Sequence, residues 1–470
     1  MTDVPAAVAS GDLGFLDEDA LREWILRQRW FGSKAREVAQ LHVLDALPLR
    51  TEPPLLAAAM VEVRFHPGTH VVYQILLGLR PRDDGWDGGV VTDAEGWTVY
   101  DALADPEQAR EVLELMRGGR DVRVGEAGAA FRWAESFAQA PAGALDVRPM
   151  GAEQSNSSIV FGDGLVLKVF RRLEPGINPE LELLRFLSAR GFRHVAALAG
   201  WYEYSGPLMD ATLGILQEYL AGGRDGWELA VDELASEPEA FLARVRELGG
   251  VTGEMHAALG SDSSDPDFAP EEPSSESLHL LTATVDEEIE RVFLDLPDHP
   301  ALAPIAGRGQ DVRERLRSMS GIGVAGRVIR HHGDFHLGQT MLTERGWIIL
   351  DFEGEPARSL RERRLKRSPL RDVAGMMRSF AYAATATALL RGVAAPEGWE
   401  ARAREEFLAG YLERVDPALL PPGQEAVKRL LAVFELEKAV YELEYELNNR
   451  PDWVGIPVAG IVRLLDGEAP

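Results

Sequence analysis

At about Gly222 the hydrophobic pattern changes period, and that change sets the architecture the chain can adopt. Upstream, short runs rich in Val, Leu and Tyr alternate at period two and are broken by Pro and Gly, the signature of antiparallel strands. Met60-Val61-Glu62-Val63-Arg64-Phe65 is followed, after Pro67-Gly68, by a second run over 69–79, which reads as a hairpin. A second hairpin joins 157–161 to 165–170 through Gly162-Asp163-Gly164, an Asp-Gly turn. Helices are expected over 17–29, 103–117 and 179–190. Downstream the runs lengthen into helices over 237–259, 284–292, 309–319, 370–390, 400–414, 423–449 and 456–465. A Pro- and Ser-rich loop spans 261–277, and a strand pair is expected between 327–330 and 347–350. The expected fold is α+β: a β-rich N-terminal lobe with a cap before it, then a mainly helical C-terminal lobe. The polar loop 81–89 serves as a boundary, giving segments 1–90, 91–220 and 221–470.

At 470 residues the chain is too long for one core. Its net charge of −27 disfavours nucleic-acid or anionic-membrane binding as the main role. Cysteine is absent, which excludes disulfides, thiolate nucleophiles and iron–sulfur sites. The first basic residue is Arg22, so no secretory start is expected, and the uncharged run 379–390 is too short to span a bilayer. A cytoplasmic location is the expectation by elimination.

The densest polar motif is His331-His332-Gly333-Asp334-Phe335-His336-Leu337-Gly338-Gln339, followed by Ile348-Ile349-Leu350-Asp351-Phe352-Glu353-Gly354. Phosphoryl transfer from a magnesium nucleotide needs a carboxylate to orient and deprotonate the acceptor hydroxyl. It also needs an amide oxygen and a second carboxylate to hold the metal. Asp334 fits the base, Gln339 five residues on fits the amide, and strand-terminal Asp351 fits the second carboxylate, with Glu353 a possible helper. His331, His332 and His336 read as bracing hydrogen-bonders of this loop rather than metal ligands.

Such chemistry requires a nucleotide lobe, and its parts occur upstream in order. Lys168 lies on a strand, where it can reach the α- and β-phosphates, and Glu182, fourteen residues on, is expected to pair with it. Gln154-Ser155-Asn156-Ser157-Ser158 stands where a phosphate-covering loop belongs, and Gln217-Glu218-Tyr219 fits a hinge against adenine. No Walker A motif, Gly-x-Ser-x-Gly elbow or His-Glu-x-x-His helix competes. A non-catalytic kinase-like docking module is disfavoured by the intact Lys168, Asp334, Gln339 and Asp351.

The run 332–339, then Asp351-Phe352-Glu353-Gly354-Glu355-Pro356-Ala357-Arg358, then 368–380, resembles the maltokinases. Gln28-Arg29-Trp30-Phe31-Gly32-Ser33-Lys34-Ala35-Arg36 resembles their N-terminal cap, and residues 441–453 resemble their sugar-binding end. The resemblance covers nearly the whole chain. It implies a eukaryotic-protein-kinase-like fold shared with aminoglycoside phosphotransferases, and ATP- and Mg²⁺-dependent phosphorylation of maltose to maltose 1-phosphate. It also implies fusion to, or association with, trehalose synthase; this chain has no room for that enzyme, so a free-standing kinase that could associate with it is expected. Glucosamine kinases share these motifs; an amino sugar would need a carboxylate such as Asp452 or Glu442. Aminoglycosides are a further alternative. The helix stripe Val427, Leu430, Leu431, Phe434, Leu443 and Leu447 is expected to face a core. With the resemblance, Tyr441, Tyr445, Arg450, Trp453 and His336 become the expected sugar contacts. Arg361, Arg363, Arg364, Lys366 and Arg367 read as a solvated loop, with guarding of the cleft as the alternative, and Arg371 and Asp372 as braces of the catalytic loop.

Overall fold

A computed structural model describes residues 2–34, 36–137, 145–150, 156–319 and 325–466. The chain divides into two compact units, Met1–Ser188 with Ala196–Ala221, and Ala189–Val195 with Gly222–Pro470.

The first unit begins with α1 (Val4–Ala9) and α2 (Glu18–Arg27), each started by an aspartate whose side chain accepts backbone N–H groups. Strands β1 (Val38–Arg50), β2 (Leu55–Phe65), β3 (Thr69–Pro81), β4 (Val90–Ala94) and β5 (Trp97–Asp101) form an antiparallel sheet in the order β1-β2-β3-β5-β4. The β2–β3 hairpin turns through Gly68, whose φ of +106° a side chain would resist. β2 is buried almost throughout because its two faces enter different cores. Ala57, Ala59, Val61 and Val63 pack with Leu21, Trp24 and Ile25 of α2, while Leu56, Ala58 and Met60 pack with Val112 and Met116 of α3 (Pro106–Arg117). Each fully buried Val, Leu, Met or Phe contributes roughly 1.5–3 kcal/mol.

A second sheet holds β6 (Asp121–Val124), β7 (Ala127–Trp133), β8 (Val147–Pro149), β9 (Asn156–Phe161), β10 (Leu165–Phe170), β12 (Leu198–Ser205) and β13 (Asp210–Glu218). Its order is β6-β7-β12-β13-β10-β9-β8, while β11 (Arg172–Leu173) joins β3 of the first sheet. Helix α4 (Pro179–Ala189) follows β11.

The second unit is mainly helical. Its helices are α5 (Gly226–Ser236), α6 (Pro238–Leu259), α7 (Ser275–Leu294), α8 (Gly309–Met319), α9 (Leu360–Arg363), α10 (Leu370–Arg391), α11 (Trp399–Arg414), α12 (Gln424–Asn449) and α13 (Gly455–Leu465). A small antiparallel sheet runs β14 (Arg224–Asp225), β15 (Thr340–Thr343), β16 (Gly346–Ile349). The expected pairing of 327–330 with 347–350 is therefore corrected. β16 pairs with β15 across a two-residue turn ending at Gly346 (φ +92°), and a short local closure costs less entropy than a distant one. Ile329 instead exchanges backbone hydrogen bonds with Arg367, at 3.0 and 2.9 Å.

The α12 stripe faces a core as expected: Val433, Leu436, Val440 and Leu443 pack with Val285, Val312, Val458 and Ile461. Helices α6 and α11 cross with backbones nearly touching. A Cβ added at Gly249 or Gly253 would run into the carbonyls of Phe407 or Tyr411, and one at Gly410 into that of Arg246. Among the described residues no helix is long and apolar enough to cross a membrane.

Candidate active site

The segment after Arg330 has no regular structure until Leu337, so its backbone polar groups need partners from elsewhere. Asp372, buried in the first turn of α10, supplies them. Its carboxylate accepts the N–H of His332 at 2.8 Å and of Gly333 at 2.9 Å. His256 of α6 lies 3.0 Å from the same carboxylate, and its other ring nitrogen is 3.1 Å from the hydroxyl of Tyr411 on α11. Burial alone would raise the Asp372 carboxyl; the facing His331 and His256 outweigh it and hold the group well below the carboxylate range. His332 is fixed by a 2.8 Å contact from Nε2 to the Leu350 carbonyl. The loop also packs against a helix backbone, since a Cβ at Gly375 would meet the Phe335 carbonyl at 2.7 Å. Asp372 is thus a brace, as expected.

Asp334 emerges from this clamped loop into a cavity of about 500 Å³. Its Oδ1 is 3.7 Å from Lys438 Nζ of α12, which also lies over the Tyr441 ring. His336 lines the same cavity; burial pushes its imidazole down, and its Nδ1 accepts the Gly338 N–H at 3.1 Å. Gln339 Nε2 donates to Asp351 Oδ2 at 3.0 Å. Asp351 sits at φ +59°, a left-handed conformation uncommon for a non-glycine residue and typical of functional positions. Carboxylate oxygens of Asp351 and Glu353 come within 4.8 Å of one another, an oxygen pair of the kind a hard divalent cation prefers, with the Gln339 amide beside Asp351.

The cavity walls alternate rings and ion pairs. Tyr441 bonds Glu355, and burial followed by that carboxylate pushes the phenol up to about 12. Arg358 donates to Glu355 at 2.6 Å, and Arg371 to Glu437 at 3.0 Å. Arg450 holds Glu446 through contacts of 2.9 and 2.7 Å, and Tyr382 donates to Glu446 at 3.0 Å. Of the expected sugar contacts, His336, Tyr441, Tyr445 and Arg450 line the cavity. Trp453 does not: it stacks behind Tyr382, with ring centroids 6.1 Å apart. Asp452 is also off the lining, and Glu442 is engaged by buried Arg378 at 2.6 and 2.9 Å. The basic run is more than a solvated loop, because Arg363 and Arg367 line the cavity. Lys438, Tyr382 and Glu437 escaped sequence reading. Only the helical spacing of Glu437, Lys438 and Tyr441 hinted at a shared face.

In the first unit, Lys168 sits mid-strand on β10 and its Nζ contacts Glu180 Oε2 at 2.8 Å. Glu180 is a partner of Lys168 that the spacing argument for Glu182 does not name. Two residues along a helix rotate a side chain by about 200°, and it is Glu180 that α4 buries. Asn156, Ser157 and Ser158 belong to β9 itself, not to a loop before it, and Ser157 Oγ accepts Arg171 Nε at 2.8 Å. Gln154 and Ser155 lie outside the described residues. Gln217 and Glu218 end β13, and the Tyr219 N–H donates to the Gly164 carbonyl at 3.0 Å, tying that end to the β9–β10 turn.

Residues 24–105 match the maltokinase N-terminal cap domain and residues 146–408 the phosphotransferase enzyme family. A glucosamine kinase of Streptacidiphilus jiangxiensis is 26% identical over 328 residues, 67% of this chain and 72% of that protein. One of Mycolicibacterium smegmatis is 28% identical over 339 residues, 68% of this chain and 79% of that protein. A solved glucosamine kinase in complex with glucosamine, ADP and inorganic phosphate superposes with a TM-score of 0.71 at 20% identity, covering 99% of both chains. At that identity the likeness establishes the kinase-like fold.

Proposed function

Since the chain belongs to the phosphotransferase enzyme family, we propose that it transfers the γ-phosphoryl group of ATP to a sugar hydroxyl, with maltose as acceptor and maltose 1-phosphate as product. The observation that carries this reading is Asp334, clamped by its loop and opening into a cavity of rings and compensated charges. Asp334 orients the hydroxyl and takes its proton as the oxygen–phosphorus bond forms and ADP leaves. Lys438 beside Oδ1 leaves Oδ2 for that proton. Lys168, steadied by Glu180, binds the α- and β-phosphates. Gln339 Oε1, Asp351 and Glu353 would hold Mg²⁺, which when bound neutralises phosphate charge.

Maltose is favoured over a charged acceptor because Glu355, Glu437 and Glu446 each already hold an arginine. A neutral polyol needs such paired donors and acceptors plus ring faces, which Tyr441 and Tyr445 supply. The cap-domain match points the same way. One observation favours glucosamine instead. Glu288 lines the cavity with no ion-pair partner among the described residues, and burial followed by Glu437 pushes its carboxyl up; an ammonium there would relieve both. The two curated relatives named glucosamine kinases support that second reading. ADP release with ATP and Mg²⁺ across maltose, glucose, glucosamine and kanamycin decides. A maltose-dependent signal is expected, a glucosamine-only signal transfers the activity to the amino sugar, and silence on every sugar sinks the kinase assignment.

A further inference from the structure

The segment following the Asp334 loop places four arginines, Arg358, Arg363, Arg367 and Arg371, on the wall of the acceptor cavity of a strongly acidic chain. Two of them are neutralised, Arg358 by Glu355 and Arg371 by Glu437. Arg367 is not: its guanidinium has no hydrogen bond or ion pair among the described residues. Its backbone is pinned in both directions to Ile329, so the side chain is presented from a fixed base. Burial, then the guanidiniums of Arg371 and Arg358, push its acidity up, while the carboxylates of Glu437 and Glu362 act the other way. Beside it, His331 Nδ1 is buried, lines the same cavity and has no hydrogen-bond partner among the described residues. Burial keeps that imidazole neutral, with its ordinary value pushed down to about 3.

An arginine without an ion-pair partner, flanked by other guanidiniums and beside a buried ring nitrogen whose hydrogen bond is unmet, matches the charge and forked donor geometry of a phosphate oxyanion. We propose that Arg367, with Arg363 and His331, forms a phosphate-monoester subsite in the acceptor cavity, so that a sugar phosphate binds there and competes with the acceptor sugar. The site differs from the phosphoryl-transfer position because it is built on the Arg358–Arg371 segment and uses neither Lys168 nor the Gln339–Asp351 pair. Its occupancy does not depend on which sugar is the acceptor, nor on turnover.

The test is calorimetric titration of the nucleotide-free full chain with glucose 6-phosphate and, separately, with inorganic phosphate. Saturable binding is expected, weakened at least about tenfold in Arg367→Gln, partly restored in Arg367→Lys, and unchanged in Lys168→Ala. Equal affinity for the two ligands would mean that free phosphate suffices; tighter binding of the ester would mean that the sugar contributes. Either supports the subsite. Absence of binding by the wild-type chain overturns it. So does binding that survives Arg367→Gln but disappears in Lys168→Ala, which would place the anion among the nucleotide-phosphate groups. If Arg367→Gln does not fold, the Arg363→Gln chain and competition by phosphate against maltose in the wild type decide the same question.

Discussion

Lys168 and Asp334, the two charged groups on which the proposed chemistry turns, are held by opposite means. Lys168 sits in the middle of β10, paired with β9 on one side and β13 on the other, so ladder hydrogen bonds fix its backbone and an ion pair to Glu180 helps aim its side chain. Asp334 sits in backbone without a ladder. Its loop depends on Asp372, and Asp372 depends in turn on His256 and Tyr411. A strand position tolerates loss of one side-chain partner; a loop position held by a buried carboxylate does not.

The sharpest test of that contrast is functional. Asp334→Asn is expected to lower kcat by roughly 10²–10⁴-fold, the range for a positioned general base, while nucleotide affinity by equilibrium titration stays nearly unchanged. Loss of nucleotide binding in a folded variant would break the role assignment. Asp372→Ala strands two buried N–H groups and the His256 ring, so urea unfolding should reveal a loss of about 3–5 kcal/mol. A loss no larger than that of an exposed aspartate would mean that the loop is not held as described. Glu180→Gln should cost roughly 10–100-fold in kcat/KM, the 1.5–3 kcal/mol of a hydrogen bond to a charged group, with Glu182→Gln costing less. The reverse order would restore Glu182 as the partner of Lys168.

Acidity gives the finest discrimination, because its effect builds up gradually with pH. The folded His331 titrates near 3 rather than 6.5, so between those values the unfolded chain binds a proton that the native chain does not. Its contribution is fully present above about pH 6.5 and falls with acidification, by up to about 1.4 kcal/mol per pH unit, until about pH 3. Asp372 acts in the same direction: its depressed folded value makes its contribution present above the ordinary carboxylate range and lost as pH falls below it. His331→Phe should flatten the melting-temperature profile between pH 6 and 4; an unchanged slope there would contradict the buried neutral imidazole.

Much of this was legible in the sequence because local rules and tertiary packing agree. The helix 423–449 was expected from its apolar stripe, and α12 runs over Gln424–Asn449. The Asp-Gly turn gave β9–β10, and the Asp334, Gln339, Asp351 spacing converged in one loop and hairpin. What was not legible depended on rotation or on distance along the chain. Glu180 and Glu182 lie two residues apart on α4, and the sequence does not record that Glu180 is the one buried beside Lys168. Trp453 falls behind Tyr382 rather than in the cavity because the chain turns at Pro451 into a short 3₁₀ segment, and no periodicity records that turn. Lys438 reaches Asp334 from more than a hundred residues away, and a lone lysine in a helix carries no signal of its target.

The glycine crossing of α6 and α11 sets a tolerance for the whole assembly. His256 leaves α6 about one turn beyond Gly253 and two beyond Gly249, and Tyr411 follows Gly410 directly. Because backbone rests on backbone there, the spacing of the two helices is gauged by rigid main chain meeting main chain, not by side chains that can shift rotamer. Asp372 inherits that gauge through His256, and Asp334 inherits it through Asp372. A single methyl at Gly249, with no group of its own near the acceptor cavity, would therefore be read out as a misplaced carboxylate.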